Sequence, residues 1–432
     1  MNNHVFKRTM WSVFTLLAVS LHLRAEQFVL TPKYLFDGYE MHQNWRVVVN
    51  DNKIISAGNV KKVSIPKDAT RIDLPEHTLM PGMIEGHSHI FLHPYDEADW
   101  NQQVLNEARS LRVARATVNL RRTLLAGFTF MRDLGSEGAA YADAGIKQAV
   151  DQGIIVGPGL QVAGRAIVAT GSYGPKGFDP NFDVPLGAQE ADGDNIIHVV
   201  RDQIKHGADV IKVYVDASWG PEHSLQPTFT QQELNMLVET AHTSGRIVAA
   251  HAHSTEGMRR AIVAGVDTIE HGLHGGNEKL YKMMVKQQIA LCPTLAATES
   301  INAYRGWKKG QDPIPEEIQH QHSSFKLALN TGVIICNGSD VGVFTHGDNA
   351  IEPQLLVEYG MNEKSVLHAL TMGNAKAFKI DNKVGQIKAT MLADLVAVKG
   401  NPLNDIKQLS KVDFVMKNGV VYKLRGQPQH LL

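Results

Sequence analysis

Cysteine is scarce in this chain of 432 residues, and neither sign of charge dominates. Cys292 and Cys336 are too few for a disulfide-stapled scaffold, and a chain this long can bury a core of its own. Both sit in apolar runs, so buried thiols are expected, with a disulfide between them left open. Lysine and arginine number 43 against 44 acidic residues, a net charge of −1. That balance gives no electrostatic reason to expect nucleic acid or an anionic membrane as partner. Long apolar runs are missing as well: Met10 to Leu21 falls short of the ~20 residues that a membrane span needs. No glycine-rich phosphate loop follows the first strand-like run, which argues against an open dinucleotide-binding sheet.

What is present reads first as an address. Lys7 and Arg8 precede the apolar stretch, and Ala25 stands where a signal peptidase would cut. Residues 1–25 are therefore expected to be a secretory signal, and the protein to be exported, periplasmic or secreted. No cysteine lies near the cut, which argues against lipid attachment. The whole chain is 43% hydrophobic and 20% charged, as globular proteins are.

From about residue 100 one unit recurs: an amphipathic helix, a glycine, a short apolar run, then a polar residue. The runs are "GFTFMRDLG", "GLQVAGRAI", "GADVIKVYVD", "GRIVAAHAHS", "GVDTIEHG", "QIALCPT" and "GVIICNGSD"; with "PGMIEGHSHI" before them they make eight. In "TFTQQELNMLVETAHTSG", Thr230 and Glu233 have capping-box spacing. Leu234, Leu237, Val238 and Ala241 form one apolar stripe, and Gly245 ends the helix. Continuous apolar strands between one-sided helices predict an α/β fold, a (β/α)8 TIM barrel over residues 81–381. Alternating runs at 26–80 and 382–432 predict a small β-sandwich domain built from both chain ends.

In such a barrel, residues ending the strands face the mouth. Those residues are His87 and His89, Lys212, His251 and His253, His271, and Asp340. A single histidine at a strand end is usually an ordinary polar residue. Several converging on one rim are not, and imidazole with carboxylate suits zinc or a similar divalent ion. A lysine ammonium binds no metal, but its carbamate is an anionic bridge, and burial beside metals favours the neutral amine that forms it. Arg165, ending the third run, is a candidate for a substrate carboxylate, against a structural ion pair. His346 in "THGDN" is a weaker candidate beside the reading as a surface histidine.

"PGMIEGHSHI", "IKVY", "AAHAHS", "TIEHG" and "NGSD" resemble, in order and spacing, the metal motifs of the amidohydrolase superfamily. "VGQIKATMLADLVAVKGNPLND" is similar to that superfamily's C-terminal β-domain signature. The branch it looks most like is the imidazolonepropionase-like and Xaa-Pro dipeptidase-like one. The resemblance implies two divalent metal ions, zinc by expectation, bridged by carbamylated Lys212. His87, His89 and Asp340 would hold the more buried ion and His251 and His271 the other, with His253 left for substrate. Asp340 would also pass a proton from a metal-bridging hydroxide to the leaving amine. The implied reaction is hydrolysis of a C–N bond in a dipeptide, N-acyl amino acid or cyclic amide. A mononuclear deaminase or ring-opening hydrolase is the alternative, which Lys212 argues against; a silent metal-binding scaffold is another. The small amide is the expected partner, with no nucleic acid and no membrane after signal removal, and a homo-oligomer left open.

One stretch departs from the family pattern. "TGGHG" of the dipeptidase-like members is "TGSYG" here, so Ser172 and Tyr173 replace a glycine and a histidine. Tyr173, Tyr214 and Trp219 thus become mouth candidates, the first two as substrate-binding residues. The irregular stretch 171–192 is expected to be a lid or specificity loop, against a solvated excursion.

Overall fold

The computed structural model describes residues 26–179 and 181–429; the expected signal segment, 1–25, lies outside them. Among the described residues no helix is long and apolar enough to cross a membrane.

Each of the eight apolar runs contains a strand. In chain order these are Met83–Ser88, Phe128–Asp133, Gly159–Val162, Val210–Tyr214, Ile247–Ala252, Thr268–His271, Ala290–Cys292 and Ile334–Ile335. Neighbours pair in parallel, Lys212 opposite Ala249 and Ala252 opposite His271 among them. The ring closes at two seams. Asp209 N donates to Val162 O at 2.8 Å across the first. At the second, Gly86 N donates to Asn337 O at 2.9 Å and Asp340 N to His87 O at 2.8 Å. Gly86 is needed there, because a Cβ on it would stand 2.5 Å from Asn337 O.

The helices cover the ring as the pattern predicts. Thr230 and Glu233 form the reciprocal capping box at the start of Gln231–Thr243, and Leu234, Leu237, Val238 and Ala241 are its buried residues. A buried apolar side chain contributes about 1.5–3 kcal/mol, so this stripe, more than the cap, holds the helix to the barrel.

Both chain ends enter one nine-stranded sheet, joined where Thr70–Pro81 runs parallel to Gln27–Phe36 and antiparallel to Leu395–Lys399. Successive strand residues serve different cores. Leu395 and Ala397 pack into the sheet's own apolar cluster, whereas Val396 and Val398 join the barrel's. The small domain is thereby fastened to the barrel along its length.

The expectation of buried thiols is corrected. Cys292 and Cys336 form a disulfide, their Cα atoms 4.8 Å apart. The seventh and eighth strands are neighbours, with Leu291 opposite Ile335, and this brings the two cysteines side by side. Linear spacing alone does not reveal that adjacency.

Candidate active site

The strand ends converge as expected. His87, His89 and Asp340 bring one ligand atom each to within 4.8 Å of one another, and His251, His253 and His271 do the same. The two groups meet: the rings of His87 and His271 are 5.2 Å apart. Lys212 is fully buried beside both groups. Burial lowers its pKa to about 8, and its Nζ has no hydrogen-bond partner among the described residues. A buried amine without a partner is costly unless something else satisfies it.

Supporting hydrogen bonds orient the imidazoles. His87 Nδ1 faces Glu270 Oε2 at 2.9 Å, and His89 Nδ1 donates to Gly135 O at 3.1 Å. His271 Nδ1 lies 2.6 Å from Thr294 Oγ1, whose own proton goes to Pro293 O. The His87 and His271 contacts place the proton on Nδ1 and leave the Nε2 lone pair facing the cavity, the tautomer a metal requires. His89 is the exception: against the lowering effect of burial, Asp340 and Glu137 raise its pKa to about 9, so a metal would have to replace its Nε2 proton. Burial pushes the pKa of His251 and His271 well down, and those of His87 and His253 to about 4. Four neutral imidazoles therefore offer lone pairs at neutral pH. Burial also opposes ionisation of Asp340, yet His87 and His89 hold its carboxyl far below the usual carboxylate range. Neutral imidazoles and an ionised carboxylate make a donor set that fits divalent metal ions.

The backbone is strained at these points. His271, Thr294 and Asp340 all have positive φ, at 71°, 52° and 61°. Such conformations cost about 1–3 kcal/mol each and persist where the surroundings over-determine them.

A cavity of about 490 Å³ opens over the site, lined by the five strand-end histidines, Asp340, Tyr173 and Tyr214. Ser172, Gly174 and Lys176 also line it, so the start of the 171–192 stretch forms part of the cavity wall. Trp219 does not line it: the residue is 46% exposed, and its Nε1 donates to Pro227 O. Arg165 requires a correction, because it lies outside the cavity lining with its guanidinium over the Tyr141 ring. The third strand stops at Val162, and Gly164, at a φ of +71°, turns the chain before Arg165 is reached. His346 is buried rather than on the surface, its Nε2 3.2 Å from His89 O.

Several working residues escaped sequence reasoning. Glu270 holds His87 with one oxygen and Arg132 with the other, at 2.7 Å. Glu85 accepts the amides of His87 and Ser339 on Oε1, and on Oε2 Ser339 Oγ and Asn349 Nδ2. Glu137 lines the cavity. The available signal was a charged residue set inside an apolar strand run, as in "MIEGH", "FMRDL" and "DTIEHG".

Comparison with known proteins agrees with this geometry. A model of the amidohydrolase family matches residues 78–422. Ochratoxinase of Aspergillus niger is 29% identical over 419 residues, covering 89% of this chain and 84% of its own. Its crystal structure superposes with a TM-score of 0.77 at 27% identity, over 93% of this chain and 96% of that one. A Xaa-Pro dipeptidase with methionine bound in its active site superposes with a TM-score of 0.80 at 31% identity, over 92% and 100%. The chain belongs to the amidohydrolase family, and is a metal-dependent hydrolase of carbon–nitrogen bonds.

Proposed function

We propose that this chain hydrolyses the amide bond of a dipeptide, N-acyl amino acid or cyclic amide at a two-metal centre. The observation that carries this reading is Lys212: a buried amine with no hydrogen-bond partner among the described residues, beside two groups of three candidate ligand residues. His87, His89 and Asp340 would hold one ion and His251 and His271 the second, with the Lys212 carbamate shared between them. Such ions, when bound, polarise a carbonyl and supply a water-derived nucleophile at neutral pH.

The chain's own groups do the remainder. Asp340 stays ionised at the cavity floor, where its carboxylate takes up a proton and returns it to the departing nitrogen. His253 lines the cavity, and its imidazole suits a substrate carbonyl or carboxylate. Tyr173 and Tyr214, 4.7 Å apart, form an aromatic wall against which substrate is oriented. The named relatives, an ochratoxinase and a Xaa-Pro dipeptidase, support the amide class. The disulfide and the basic-then-apolar start of the chain support export to an oxidising compartment.

Two measurements test this. Elemental analysis should find two metals per chain, with a carbamate on Lys212; one metal would favour the deaminase or ring-opening alternative. Zinc-loaded protein should hydrolyse at least one member of a panel of dipeptides, N-acyl amino acids and cyclic amides, and turnover of none would leave family membership alone.

A further inference from the structure

Glu137 is a carboxylate in the cavity wall with one oxygen satisfied and the other open. The side chain is 3% exposed and the backbone φ is +46°. Oε2 accepts Trp100 Nε1 at 2.8 Å and Tyr173 OH at 3.1 Å. Oε1 has no hydrogen-bond donor among the described residues. Its ion-pair neighbour is His89 Nδ1 at 3.7 Å, and that nitrogen already donates to Gly135 O. Gly135 leaves room for Oε1, since a Cβ there would come to 3.0 Å from it. Arg112, a buried guanidinium whose charge acts on Glu137, donates to Phe91 O and makes no ion pair with this carboxylate among the described residues. Lys176 is the one lysine or arginine among the described lining residues, and it is exposed.

Aromatic rings stand beside Oε2, which Trp100 and Tyr173 hold. Trp100 meets Tyr173 edge-on at 5.3 Å, Tyr173 lies 4.7 Å from Tyr214, and Tyr95 shares the lining. Phenol and indole faces attract cations, and a carboxylate among them adds a direct ionic partner. A neutral substrate that fills the cavity expels water and would leave Glu137 Oε1 with only the distant His89 Nδ1, at 3.7 Å, as an ionic neighbour. A protonated amine would give that oxygen a direct donor.

We propose that Glu137 and the Trp100–Tyr173–Tyr214 wall form a subsite for a protonated amine on the acyl side of the scissile amide. This rests on the amide-hydrolysis reading and narrows it to acyl groups carrying an ammonium, as the free amino terminus of a dipeptide does.

The test uses zinc-loaded enzyme and two substrates of one skeleton, leucyl-methionine and its des-amino counterpart, 4-methylpentanoyl-methionine. The wild type should favour the amine in kcat/KM by at least tenfold. Glu137→Gln, which keeps an oxygen for Trp100 and Tyr173, should shrink that preference by at least tenfold, mainly through KM, and Glu137→Asp should restore part of it. An unchanged preference in Glu137→Gln overturns the subsite while both hydrolyses leave the amide reading standing. Loss of bound zinc from Glu137→Gln also overturns it, by making Glu137 a support for His89. Hydrolysis of neither substrate, nor of any amide in the wider panel, overturns the amide reading and the subsite together.

Discussion

His87 Nδ1 and Glu270 Oε2 stand 2.9 Å apart at the bottom of the barrel mouth, both fully buried. Glu270 is held ionised, its pKa brought to about 2 against the effect of burial, chiefly by Arg132. One carboxylate thus orients a metal candidate and neutralises a buried guanidinium. Glu270→Gln should weaken zinc binding by about 10- to 100-fold. It should also destabilise the fold by about 3–5 kcal/mol, because Arg132 is left uncompensated. Adding Arg132→Met should recover most of the stability and none of the affinity. Zinc titrations and denaturation of the single and double variants separate the two roles.

Asp340→Asn keeps the size and neutral hydrogen bonding of the side chain but cannot carry a proton between atoms. Turnover should fall by about 100- to 10,000-fold, with the fold intact and most of the metal retained. Wild-type-like turnover in that variant would remove the proton role.

Lys212 offers a covalent handle. If its amine becomes a carbamate, chelated enzyme given zinc in carbon dioxide-free buffer should regain little activity, and added bicarbonate should restore it. Labelled bicarbonate should produce one carbamate carbon signal per chain, absent in Lys212→Met. Full reactivation without bicarbonate would exclude the bridge.

Glu352 supplies a pH effect away from the metal groups. It accepts Leu295 N at 3.2 Å and Ala296 N at 2.8 Å, closing the start of the helix Leu295–Tyr304. Those amides favour the anion, but burial outweighs them and raises the pKa well above 4.5. The folded state therefore holds a proton that the unfolded chain releases. That contribution is complete below about pH 4.5 and is lost as pH rises through the folded value. Glu352→Gln should gain stability relative to wild type by about 1 kcal/mol per pH unit within that window. Denaturant midpoints at pH 5, 6.5 and 8 measure it; parallel curves would show that Glu352 ionises without cost.

The disulfide predicts that protein purified under oxidising conditions carries no alkylatable thiol. Replacing both cysteines by alanine should cost about 2–4 kcal/mol. Quantitative alkylation of unreduced, denatured protein checks the first statement, and denaturation the second.

The candidate ligand residues were legible because barrel strands put their last side chains on one rim, so a chain-order pattern becomes a spatial one. His87 and His89, two apart on a strand, needed only the alternation of side chains. Glu270, Arg132 and Thr294 were not legible in the same way. Their partners lie on other strands, and register between distant strands is not encoded in local pattern. Arg165 was misplaced because its apolar run outlasts its strand, the turn at Gly164 intervening. The disulfide depended on which strands become neighbours, again a property of the closed ring.

That closure has a temporal consequence. His87 and His89 emerge early in synthesis, and Asp340 comes from the final barrel unit. The seam that sets Asp340 N against His87 O forms only when the last strand docks on the first. A nascent chain carries the histidine pair without its carboxylate, so the candidate ligand group of His87, His89 and Asp340 is assembled only when the barrel closes.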